Sequence, residues 1–120
     1  MIITGTILRV IDNSGARFAQ CIKVLRKHKF ARLGDKIIVA IKKSIPNKKV
    51  KTHQIHTALI VRNSGWLRRK DGSRLKFVPG ACVIINKQNA PIGKRIHGPV
   101  AKELRLQGHL KIISISSIAI

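Results

Sequence analysis

At 120 residues the chain has room for one domain, 1–120, around one buried core, and 25 Lys plus Arg against 4 Asp plus Glu give it a formal net charge of +21. An apolar share of 44% excludes a disordered basic tail, and an aromatic share of 3% excludes a face tiled with base-stacking rings. The remaining class is a folded core in a cationic coat, whose self-repulsion is relieved against a polyanion gripped mainly through its phosphates.

The first alternating run, TGTILRVI (4–11), predicts a strand that ends in DNSG, an Asx-type turn closed by a glycine. FAQCIKVL (18–25) predicts a second strand and DKIIVAIKKS (35–44) a third. Between them lies RKHKFAR (26–32), with clustered cations and no apolar period, and IPNKKVKTH (45–53) repeats that character before the strand TALIVR (57–62). In GWLRRKDGSRL (65–75) the Asp71-Gly72 pair between strand-like runs predicts a hairpin turn. That turn presents Arg68, Arg69 and Lys70 at its tip and leaves Trp66 to brace the loop or to lie flat on a sugar or base. RLKFV (74–78) and ACVIIN (81–86) continue as strands. One helix is predicted, GPVAKELRL (98–106), with Pro99 in the first turn and Val100 and Leu104 on one face. LKIISIS (110–116) returns to strand. Many short strands separated by turn signals predict an all-β fold, a small closed barrel with appended hairpins.

Catalysis finds little material here. The complete acid inventory is Asp12, Asp35, Asp71 and Glu103, and the three aspartates stand near glycines in turn contexts. Four scattered carboxylates do not predict a two-metal nuclease or a glycosidase pair. His53 and His56 form an H-x-x-H, but in an extended segment that spacing sends the rings to opposite faces, so no metal site is expected. Cys21 and Cys82 lie far apart in apolar runs, with no C-x-x-C pair, and read as buried free thiols of a reducing compartment. PIGKRIHG contains Gly-Lys without the rest of a P-loop, so neither a cofactor nor a small-molecule substrate is expected. No uncharged stretch, the C-terminal IISISSIAI included, is long enough to span a bilayer, and MIITGTILRV has no basic n-region, so no membrane partner and no targeting signal are read.

Several segments together carry a family resemblance. VIDNSGAR (10–17), CIKVL (21–25), GDKI (34–37), ALIVR followed by DGSRLKF (58–77), and PIGKRIHGPVAKELR (91–105) occur in the order found in the L-fourteen family of large-subunit ribosomal proteins, which the chain resembles from end to end. The resemblance implies a five-stranded barrel with a projecting β-ribbon and a short C-terminal helical region. It implies a structural, non-enzymatic role on large-subunit rRNA at the subunit interface, with neighbouring ribosomal proteins and, through an intersubunit bridge, small-subunit rRNA as partners. It also implies docking of a ribosome-silencing factor on a face matching Lys94, Arg95 and Lys111; Arg95 and Lys111 match in type, and Lys94 replaces the usual Thr. The chain departs from the family where Arg26-Lys27 replace a glycine pair and where Gly80 replaces Asn or Thr.

With rRNA as the polyanion, the expected contacts are Arg17, Arg26, Lys27, Lys29, Lys42, Lys43, Lys48, Lys49, Lys51, Arg68, Arg69, Lys70 and Arg74. Few acids with much Lys and Ile resemble an organelle-encoded copy, which sets the expected location in the mitochondrial matrix, with bacterial cytoplasm or plastid stroma as alternatives. The competing reading from the residues is a free RNA chaperone or architectural nucleic-acid-binding protein of barrel type.

Overall fold

The computed structural model describes residues 2–25, 29–77 and 80–120. Nine strands and two short helices follow one another among these residues. They are β1 (Ile7–Val10), β2 (Ala16–Val24), β3 (Lys36–Ser44), β4 (Ile55–Arg62), β5 (Leu67–Arg68), β6 (Arg74–Leu75), β7 (Ala81–Ile85), β8 (Ile96–Val100), α1 (Glu103–Leu106), α2 (Leu110–Ile115) and β9 (Ser116–Ala119). Five of them close into a barrel in the order β1-β2-β3-β4-β7, antiparallel throughout except where β1 meets β7 in parallel and shuts it.

Period-two alternation builds the barrel interior. Leu8 and Val10, Ala19 and Cys21, Ile37, Val39 and Ile41, Ala58 and Ile60, and Cys82 and Ile84 point inward and form one buried cluster. The other faces of β4 and β7 are buried as well. Leu59, Val61, Ala81, Val83 and Ile85 pack against Ile96, Val100, Leu104 and Ile112 of the C-terminal segment. That double burial is why ALIV and ACVII read as unbroken apolar runs while β1 and β3 alternate. Each such Ile, Leu or Val contributes about 1.5–3 kcal/mol by leaving water.

The C-terminal segment corrects two expectations. The helix predicted over 98–106 is helical only at Glu103–Leu106, and its front half belongs to strand β8. Gly98 holds φ +82 in the left-handed region, which a right-handed helix cannot accommodate. A Cβ at Gly98 would stand 2.1 Å from the Arg62 guanidinium, whose Nε and Nη2 donate to the carbonyls of Pro99 and His97 at 2.6 Å each. Arg62 therefore latches β8 in extended form onto the end of β4. Val100 and Leu104 are both buried, as a shared apolar face requires, but a strand-to-helix junction brings them there. The strand predicted over 110–116 is helix α2 followed by β9, which pairs in parallel with β8. A six-residue apolar run fits either period, and burial of Ile112 against the outer face of the barrel decides for helix over the β-branched preference.

Smaller differences have local causes. The first strand begins at Ile7 rather than Thr4, because Thr4 and Gly5 form a turn. The run 74–78 contributes two paired residues, Arg74 and Leu75 of β6, and then Phe77 as a buried anchor beside Leu33 and Ala101; Val78 lies outside the described residues.

Candidate nucleic-acid interface

Strand direction distributes the basic side chains between the two ends of the barrel. At the end where β2 begins and β3 finishes, Ala16 pairs with Ser44 and Phe18 with Lys43, with Arg17 in the bulge between these pairs. Arg17, Lys42 and Lys43 therefore emerge together, all exposed. The chain then enters the 45–53 connection, where Val50, 1% exposed, plugs into the barrel core and its amide donates to the Ser14 carbonyl. Anchoring that single apolar residue leaves Lys48, Lys49 and Lys51 on the solvent side.

The opposite end carries the connection around Lys29 and the β5–β6 ribbon, because β4 runs antiparallel to β3 and leaves the barrel there. Leu67 pairs with Leu75 and Arg68 with Arg74. Two arginines directly across from each other repel, a local cost that the ribbon carries in the free chain. Its tip is the expected Asp-Gly turn. The Asp71 carboxylate accepts from the Ser73 amide and hydroxyl at 2.9 and 2.6 Å, and Gly72 supplies φ +90. Those hydrogen bonds hold Asp71 below the usual carboxylate range. Asp71→Asn keeps an acceptor for Ser73 and leaves the amide exchange of the ribbon unchanged, whereas Asp71→Val removes it and speeds exchange at Ser73 several-fold. Equal protection in the two variants would contradict this role.

Arg68, Lys70 and Arg74 are exposed, while Arg69 turns inward. Its Nε donates to Glu103 Oε1 at 2.9 Å, and its Nη2 reaches both Glu103 Oε2 and the Ile120 carbonyl. The pair ties the ribbon to the C-terminal segment across 34 positions of sequence. Arg26 and Lys27 lie outside the described residues.

The turn bearing Lys94 and Arg95 is built on Asn13. The Asn13 Oδ1 accepts from both backbone amides at 2.7 and 3.2 Å, and the Asn13 amide donates to the Arg95 carbonyl. Both side chains are thrown outward. Lys94 also lines a groove of about 220 Å³ with Lys48 and Lys49, so the two surfaces read separately from sequence meet at this end. Lys111, exposed on α2, lines a separate depression with Lys36 and His109. Burial, with Lys36 nearby, lowers the His109 pKa and favours its neutral form.

All four acids are engaged in holding backbone or side chains. Asp12, 6% exposed, accepts from the Ser14 amide and hydroxyl with Oδ1 and from the Ile84 amide with Oδ2, joining the β1 turn to β7. Burial raises its pKa despite those bonds. Asp35 Oδ2 accepts from the Arg32 amide at 2.7 Å, and Asp71 and Glu103 are placed as above. Burial pushes both thiols up, that of Cys82 furthest, which leaves neither as an available thiolate. His53 sits in a turn at φ +70, while His56 on β4 bonds Gln54 Oε1 at 3.0 Å. No group of three or more His, Cys, Asp or Glu that could hold a metal occurs among the described residues.

Sequence reasoning missed the internal roles of Arg62 and Arg69, since an arginine that braces backbone carries the same letter as one that meets phosphate. It also missed Arg32 and the Lys76–Trp66 pair. Arg32 and Trp66 line a cleft between the ribbon and the 29–35 connection, and the Lys76 Nζ stands 5.5 Å from the indole centroid.

A barrel closed by β1 on β7, an Asp-Gly ribbon, and a C-terminal cap entered through PIGKRIHGPVAKELR coincide in one chain. A family model described as Ribosomal protein L14p/L23e matches residues 1–120, the whole chain. The chain belongs to that family. It is a structural ribosomal protein of the large subunit, and its place in the cell is a ribosome. The family is a structural, non-enzymatic one, in keeping with a fold whose carboxylates are engaged in bracing.

Proposed function

We propose that this protein binds large-subunit rRNA through the two cationic ends of its barrel and performs no catalysis. One end presents Arg17, Lys42, Lys43, Lys48, Lys49 and Lys51, and the other Lys29, Arg68, Lys70 and Arg74. Arg26 and Lys27 extend the second set by sequence position, and Arg69 positions the ribbon rather than meeting phosphate. The observation that carries the reading is the division of labour among charges: the acids brace turns and side chains within the fold while the described end cations, Arg69 apart, stand exposed. Neutralising them on phosphates relieves a self-repulsion that no internal arrangement of four carboxylates can offset.

The same reading extends to the subunit interface, with an intersubunit bridge to small-subunit rRNA and contacts to neighbouring ribosomal proteins. The ribosome is that of mitochondria, in keeping with the Lys- and Ile-rich, acid-poor composition. Lys94, Arg95 and Lys111 form the face for an acidic partner, a ribosome-silencing factor. Arg95 is its anchor, because a planar guanidinium clamps a carboxylate with two parallel bonds and its backbone is already fixed by Asn13.

The test is to purify large subunits carrying Arg95→Glu with Lys111→Glu. The variant is expected at full stoichiometry in subunits that retain the factor roughly thirtyfold less well, as reversal at a desolvated charge pair entails. Failure of the subunits to assemble assigns this face to rRNA, and unchanged retention of the factor removes it from the partner.

A further inference from the structure

Trp66 is the chain's single tryptophan, and 67% of it is exposed at the base of the cation-rich ribbon. An indole so exposed offers a broad aromatic face with a polar N–H, the kind of side chain enriched at interfaces. Its neighbour Lys76 places an ammonium over the ring, yet this contact leaves most of the residue uncovered. Beside it opens a cleft of about 550 Å³ whose floor is apolar, formed by Leu33, Leu67 and Phe77, and whose rim carries Arg32 and Asn63. The carboxylate lining this cleft, Glu103, is held by Arg69, so the rim remains cationic. Apolar floor, exposed π-face and basic rim are complementary to a flat aromatic group tethered to a phosphate.

We propose that this cleft receives one unpaired nucleobase of the RNA, stacked on the Trp66 indole, with its phosphate held by Arg32. The inference rests on the RNA-binding reading and adds to it a base contact where the rest of the surface offers phosphate contacts. Trp66 is the most exposed of the four aromatic residues, and with so few rings the protein reads most of its RNA by charge and shape and this nucleotide by insertion. A side chain of a protein neighbour is the competing occupant.

The absence of tyrosine makes Trp66 the dominant intrinsic fluorophore, so its emission reports this cleft directly. The full chain is titrated with an eight-nucleotide oligoadenylate and with an abasic phosphodiester of the same length and charge. The oligoadenylate is expected to quench the emission and to bind about tenfold more tightly than the abasic chain. Trp66→Phe keeps that preference and Trp66→Ala loses it, with the salt dependence of binding unchanged in both, since no phosphate contact is removed. Far-ultraviolet circular dichroism of both variants confirms the fold. Equal quenching and equal affinity for the two oligomers, or a preference that survives Trp66→Ala, overturns the proposal while leaving phosphate binding intact and turns the cleft over to a protein neighbour. Failure of the wild-type chain to bind either oligomer at low salt overturns the RNA-binding reading together with the proposal.

Discussion

On the proposed rRNA binding, affinity of the full chain for large-subunit rRNA is expected to fall by about three to five orders of magnitude when monovalent salt is raised from about 50 to about 200 mM, since neutralising six or more phosphates would release their counterions. Single substitutions divide the cations by role. Arg68→Ala, Lys70→Ala and Arg74→Ala each lower the salt slope by about one unit and weaken binding evenly across RNA sequences. Arg69→Ala, one position from Arg68, leaves the slope nearly unchanged, because its guanidinium is engaged by Glu103 and the Ile120 carbonyl. Its effect is on the ribbon, which loses its tie to the C-terminal segment. Filter binding at four or five salt concentrations measures all of these. A slope that drops as much for Arg69→Ala as for Arg68→Ala would contradict the inward assignment.

Leu104→Ala destabilises the protein by about 2–5 kcal/mol, the range for truncating a fully buried leucine in a core that collapses only partly. Leu104 is 0% exposed and sits among Val61, Val83, Val100 and Ile112, where the cap meets the outer faces of β4 and β7. Leu106, two residues on, is 89% exposed, and Leu106→Ala changes stability by less than about 0.5 kcal/mol. Thermal denaturation reads the pair as a loss on the order of 10 °C for the first variant and almost none for the second. The contrast has a functional consequence, since the same docking positions Arg95 at the head of β8 and Lys111 on α2. Similar melting temperatures for the two variants would mean that the cap is not held by this face.

How far the sequence carried the fold follows from where its information was local. Lys36–Ser44 alternates between core and solvent and was legible almost to the residue. The barrel strands buried on both faces were equally legible, because ALIV and ACVII are short apolar runs bounded by turn residues. The Asp-Gly ribbon followed from turn chemistry alone. The C-terminal cap was misread because its conformation is settled by distant groups. The Arg62 guanidinium fixes Pro99 and His97 from 37 and 35 positions away, and the barrel surface under Ile112 selects helix for a run that fits a strand equally well.

The candidate site was legible by residue type and not by place. Runs such as RRK and NKK identify cations, but only strand direction divides them between two ends, and only the Asn13 hydrogen bonds bring Lys94 beside Lys48 and Lys49. The inward turn of Arg69 left one trace in the sequence. With so few acids, Glu103, the one acid on a helix among the described residues, was a natural partner for some arginine, though nothing local said which.

Sedimentation of cell or organelle lysates through a gradient after a high-salt wash, with peptide identification in each fraction, tests the central claim most directly. Resident rRNA binding predicts this chain in the large-subunit fraction, at a ratio near one to the other large-subunit proteins, before and after the wash. Recovery of the chain at the top of the gradient after the wash, with large subunits otherwise intact, would contradict it and identify a loosely associated RNA-binding protein instead.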